Sequence, residues 1–153
     1  MSKKTDLSTQ ELWAKLFEAP TVEDYFNQSK HSQSLAVFSD YITGLCREKG
    51  EKPEQILKRS DIEPSFGHRL FSGSRNPSRD TVIQLAFGFE LNADEAQQLL
   101  KTARLSALHP RVKRDAVIAF CLHNQKPLIT AQQLLKGSRC SGIHEKQIPY
   151  RYV

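Results

Sequence analysis

The sequence predicts an all-α protein, and three observations carry the expectation. Apolar residues recur at intervals of three and four, as in Val82, Leu85, Ala86 and Phe89, which is the stripe of an amphipathic helix. Helix-start signals precede several such stripes: Ser8 with Glu11, and Asn92 with Glu95, stand in capping-box spacing. The string AQQLLK occurs at 96–101 and again at 131–136. Extended in the same register, 79–109 and 114–144 agree at 13 of 31 positions without a gap, from a shared RDxVI to His109 and His144. A period of 35 residues is typical of helix-pair repeats, and two copies need something further to pack on.

Size and composition allow one globular domain with an appendage, since a chain of 153 residues can bury roughly 70% of its unfolded surface. Hydrophobic residues make up 39% and charged residues 25%, which argues against wholesale disorder. No apolar run reaches the roughly 18 residues of a membrane span, and MSKKTDLSTQ lacks the apolar core of a secretion signal. A cytoplasmic protein without membrane contact is expected. Cys46, Cys121 and Cys140 form no ligand cluster, and Cys121 and His123 point apart on a helix, so reduced thiols, no metal and no cofactor are expected.

Taken in order, the elements start with a helix over 9–18, bearing Leu12, Trp13, Leu16 and Phe17 and stapled at its start by Leu7 against Leu12. Pro20 ends it, a short helix at 22–27 follows, and NQSKHSQS reads as a polar linker. This 1–34 arm can fold back on the domain or bind a sister chain, with simple packing preferred. Helix 35–49 presents Leu35, Phe38, Ile42 and Leu45 and stops at Gly50, and Pro53 opens the next helix. After SDIEP comes a short helix at 64–72. Two short helices joined by about four residues, with one helix before and one after, describe a helix-turn-helix core.

The repeat supplies helices near 79–89 and 93–105, then 111–124 and 130–136. The last is capped by Thr130, stapled by Ile129 and Leu134, and stopped by Gly137. AVIAFCL at 116–122 is apolar on every side, so that helix is either central or meets a partner with its outer face, and a core role is preferred. The expected division is an arm at 1–34, a domain at 35–107, a second hairpin at 108–137 packed on it, and a basic tail at 138–153.

Between 56 and 96 the chain contains Gly73, Arg75, Asn76, Pro77, Ser78, Asp80 and Thr81 in an ungapped run. The stretch 35–96 thereby resembles the Cro/phage-repressor (XRE-type) helix-turn-helix family. The resemblance implies a five-helix bundle whose fourth and fifth helices are the first repeat copy. It also implies that 64–72 enters the DNA major groove. Pro64, Ser65 and Arg69 then fall where base readers sit, with His68 beside them, and Ser72 and Arg75 fall at backbone contacts. Arg69 suits a guanine edge, while Ser65, Ser72 and Arg75 can reach phosphates. The chain departs from the family pattern at Pro53, Glu63, Pro64 and Gly67; Gly67 stands where a branched apolar residue is usual.

The net charge of +5 is uneven, with 8 basic and 2 acidic residues over 108–153. Arg111, Lys113 and Arg114 precede a helix and form a candidate phosphate site. The plainer reading is a solvated basic turn with Arg114 paired to Asp115 or Asp80. No catalytic motif is found, and an enzyme is not expected. The function implied is a sequence-specific, dimeric regulator of double-stranded DNA, helped by Arg75, Arg79 and the basic C-terminal half. The alternative is the same fold reused as a protein-interaction adaptor or inhibitor; an effector between the hairpins is a third reading, with no polar pocket visible in the sequence.

Overall fold

The computed structural model describes residues 8–28 and 37–143. Among them every regular element is helical, and no helix is long and apolar enough to cross a membrane. The two stretches belong to separate compact units. In the first, α1 (Thr9–Glu18) starts with the expected capping box: Ser8 Oγ accepts the Glu11 amide at 3.2 Å, and the Glu11 carboxylate accepts the Ser8 amide at 2.7 Å. After Pro20, α2 (Val22–Gln28) opens with Thr21 Oγ1 accepting the Asp24 amide. Trp13 and Phe17 stack with ring centroids 5.5 Å apart, yet α1 buries no residue. Leu7, Leu35, most of the linker and the tail from 144 lie outside the described residues.

The second unit comprises α3 (Phe38–Lys49), α4 (Pro53–Arg59), α5 (Pro64–Ser72), α6 (Arg79–Gly88), α7 (Ala93–Thr102), α8 (Lys113–His123) and α9 (Leu128–Gly137). Its centre is α6. Residues 81–89 are all buried, because α4, α7 and α9 pack around this helix. Ile42, Ile56, Leu57, Leu70, Leu85, Phe89, Leu99, Leu100, Ile118 and Leu135 fill one continuous core. The helix expected to be most buried, α8, instead leaves Phe120 60% exposed. An apolar sequence fixes no direction by itself, and here only one side of α8 finds neighbours.

Four boundaries move by two or three residues: the helix expected from 35 starts at Phe38, α7 ends at Thr102 rather than at 105, α8 starts at Lys113 rather than at 111, and α9 starts at Leu128 rather than at 130. The last helix starts after Pro127, so Thr130 lies within it rather than capping it. Leu128 is the reason: the first turn carries this side chain into the core, while Ile129 and Leu134 stay exposed and form no staple. Beyond α9, Ile143 is fully buried, so the expected tail is tied down at its start.

The two repeat copies share their hydrogen bonds as well as their letters. Gln97 brackets Leu108, its Oε1 accepting the Leu108 amide at 2.7 Å and its Nε2 donating to the Leu108 carbonyl at 2.8 Å. Gln132 does the same to Ile143, at 2.8 and 2.7 Å. Glu90 and Gln125 both take positive φ, as do Arg104 and Arg139. Between copies the relation is one of exchange: Arg79 pairs with Asp115, and Arg114 pairs with Asp80. Copies stacked by translation would not return the second arginine to the first aspartate. Reciprocal pairing requires an approximate two-fold axis between the starts of α6 and α8. The packing of α6 on α9 and of α7 on α8 is the same relation seen twice.

Candidate nucleic-acid interface

α5 is a short rod held on its inner side and open on its outer side. Leu70 is fully buried and Phe66 half-buried, whereas Pro64, Ser65, His68, Arg69 and Ser72 are exposed. The inner side also explains Gly67. A methyl group there would overlap the side chain of the buried Leu57, so the glycine lets α5 lie close on α4 instead of leaving a packing deficit. The turn from α4 to α5 is anchored from α6, where Gln84 Nε2 donates to the Ser60 carbonyl at 3.1 Å.

Both ends of α5 are satisfied internally. At the start, the Glu63 carboxylate accepts the Ser65 amide at 3.0 Å and the Phe66 amide at 2.9 Å. The Phe66 and Ser65 amides hold its pKa below the ordinary carboxylate value, so Glu63 caps the helix as an anion. It thereby takes the amides that could have held a phosphate. At the other end the chain turns left-handed at Gly73, and the Arg69 carbonyl accepts the amides of Ser74 and Arg75 at 3.0 and 3.2 Å. Ser72 Oγ donates to the same carbonyl at 3.1 Å, which fixes the backbone that presents Arg75.

No side-chain hydrogen bond or ion pair among the described residues holds the Arg69 guanidinium, whose charge helps to lower the Glu63 pKa. His68 Nε2 lies 3.7 Å from a Glu54 carboxylate oxygen on α4, with both groups exposed. The structure therefore brings Ser65, His68, Arg69 and Ser72 onto one open surface with Arg75 on the loop after it. Pro64 is exposed there too, but its side chain carries no donor or acceptor.

Two other arginines are spent inside the fold. Arg79 donates from Nη1 and Nη2 to the two Asp115 carboxylate oxygens at 3.1 and 2.9 Å, and to the Ser106 and Ala107 carbonyls at 3.1 Å each. Arg114 bonds Asp80 and the Ser141 and Gly142 carbonyls, at 2.9 to 3.0 Å. Neither is available to a phosphate. Of the basic turn before α8, Arg111 and Lys113 remain exposed. The His109 amide is also taken, by Asp115 Oδ2 at 3.0 Å.

Sequence reasoning missed a cleft of about 730 Å³ between the hairpin turns, walled by Phe87, Leu91, Leu122 and Ile129 with Arg59 and Lys126 at its rim. Apart from Arg59 and Asp61, its residues come from the two hairpins at positions about 35 apart, and only the repeat hinted that they meet. Arg59 is already held by Glu51 at 2.7 Å and by the Gly88 carbonyl at 2.9 Å. In comparisons with known proteins, no family model, no curated protein and no solved structure matches this chain.

Proposed function

We propose that this protein is a sequence-specific DNA-binding regulator of the helix-turn-helix class, with α5 as the element that enters the major groove. The observation that carries the reading is the outer face of α5: Ser65, His68, Arg69 and Ser72 stand exposed together on a helix whose inner face is locked against α4. Arg69 is the base reader, since an unengaged guanidinium on that face suits the O6 and N7 edge of guanine. Arg75 makes a phosphate contact, as does Ser72 once its hydroxyl turns away from the Arg69 carbonyl, with weaker help from Arg111 and Lys113. A single α5 covers one half-site, so the active species is a homodimer on half-sites about one helical turn apart.

The test is a mobility-shift titration with duplex from upstream of the protein's own coding sequence, against random duplex. Wild type is expected to prefer the former, with affinity falling steeply as salt rises. Arg69→Ala is expected to lose roughly tenfold or more of that preference, the size of one bidentate base contact. Equal binding of both duplexes at moderate salt defeats the specific-reader reading.

The second reading is an adaptor or inhibitor that contacts protein through the same fold. It is favoured by Glu63, which occupies the α5 amides, and by the exposed Phe120. A stoichiometric protein partner recovered by pull-down, with no preference for any duplex, would replace the first reading with this one.

A further inference from the structure

The two-fold relation between the hairpins makes a comparison possible face by face. In the first copy Val82, Leu85 and Leu99 are fully buried, and α4 packs against α6. Their counterparts 35 residues on are Val117, Phe120 and Leu134. These keep apolar character, yet Phe120 is 60% and Leu134 43% exposed, with Val117 half-buried. Gly88, against which α4 lies, corresponds to the exposed His123. The second copy thus presents the seat that the first copy fills, without a helix in it.

The surroundings of this seat select its occupant. Over 108–143 the basic residues are Arg111, Lys113, Arg114, Lys126, Lys136 and Arg139, and the one acidic residue, Asp115, is buried. Self-association of two such faces would oppose like charges. An acidic segment with an apolar helical stripe fits instead, and this chain carries one in α1 and α2. Residues 8–28 hold Glu11, Glu18, Glu23 and Asp24 against Lys15 alone, with Trp13 54% and Phe17 77% exposed on α1.

We infer that the Val117–Phe120–Leu134 face receives the α1 stripe of a second copy, so that two chains exchange their N-terminal helices. At roughly 150–250 Å² per aromatic side chain, the open parts of Trp13, Phe17 and Phe120 supply several hundred Å² per seat. Two seats per closed dimer, with Leu12, Leu16 and Leu134 added, approach the roughly 1,200 Å² of a specific interface. This contact does not depend on α5 reading DNA.

Trp13 is the sole tryptophan, so its emission reports on the seat directly. In the full-length protein, light scattering is expected to give a dimer with blue-shifted Trp13 emission. Phe120→Glu, at an exposed position, and Phe17→Glu, on the other partner, are each expected to weaken dimerisation at least tenfold and shift the emission to that of a solvated indole. Mixing the two variants leaves one intact seat per pair and is expected to restore part of the dimer. A wild-type monomer overturns the inference whatever its emission, as does a dimer unmoved by both variants; DNA binding is scored separately and decides neither outcome.

Discussion

Gly88→Ala is expected to destabilise the 37–143 unit by about 2–3 kcal/mol, within the range of overpacked cores. The new methyl would stand 2.6 Å from the Ile56 carbonyl oxygen and would overlap Ser60 Oγ, which itself donates to that carbonyl at 2.7 Å. A rotamer change can move the hydroxyl but not the α4 backbone, so α4 must withdraw from α6. The gain in helix propensity from Gly to Ala, at most about 1 kcal/mol, does not offset this. Thermal unfolding should show the midpoint falling by roughly 8–15 °C. The control lies in the repeat: His123→Ala, at the equivalent position where no helix presses, should change stability by less than about 0.5 kcal/mol. Equal effects at the two positions would mean that α4 does not rest on Gly88.

Asp115→Ala is expected to cost about 2–4 kcal/mol, slightly below the usual range for removing one partner of a buried pair because Arg79 keeps some solvent access. The Asp115 side chain is 6% exposed and that of Arg79 25%. The carboxylate serves both Arg79 oxygen by oxygen and the His109 amide, so its loss loosens the 106–109 loop together with the contact between copies. Burial pushes the Asp115 pKa up, but the hydrogen bonds from Arg79 and the His109 amide, with the charges of Arg79 and Arg114, outweigh it and hold the pKa below the ordinary value. A depressed folded-state pKa means that the pair stabilises fully above the unfolded-state pKa and loses its contribution as pH falls through the folded one. The stability gap between wild type and Asp115→Ala should therefore be constant from neutrality to about pH 5 and shrink below about pH 4. Urea titrations across that range check it, and a gap that widens in acid contradicts the assignment.

The extent of foreknowledge differed between the parts of the molecule. Helix starts at Ser8 and Asn92 were legible because a cap is a bond between residues three apart, and the start at Pro53 because the fixed φ of proline suits a first helical position. The start of α9 was misread at Thr130 for the complementary reason: burial of Leu128 is a long-range gain that no local pattern announces. The outward set on α5 was expected only from the resemblance of the following run to a known family. The engagement of Arg79 and Arg114 was half legible, since Arg114 with Asp80 was one of two pairings the spacing allowed, whereas Arg79 with Asp115 was not anticipated.

By itself the sequence determined that this is a helical chain, where most helices begin, and that one hairpin is written twice. Only the tertiary structure decided that the twins are related by rotation rather than translation, because the same letters serve either operation and the choice rests on which arginine reaches which aspartate. It decided also that α6 is enclosed while α8 keeps one apolar side open. Both helices carry enough apolar residues to be central, and coverage depends on a third element, α4, that has only one hairpin to lie against.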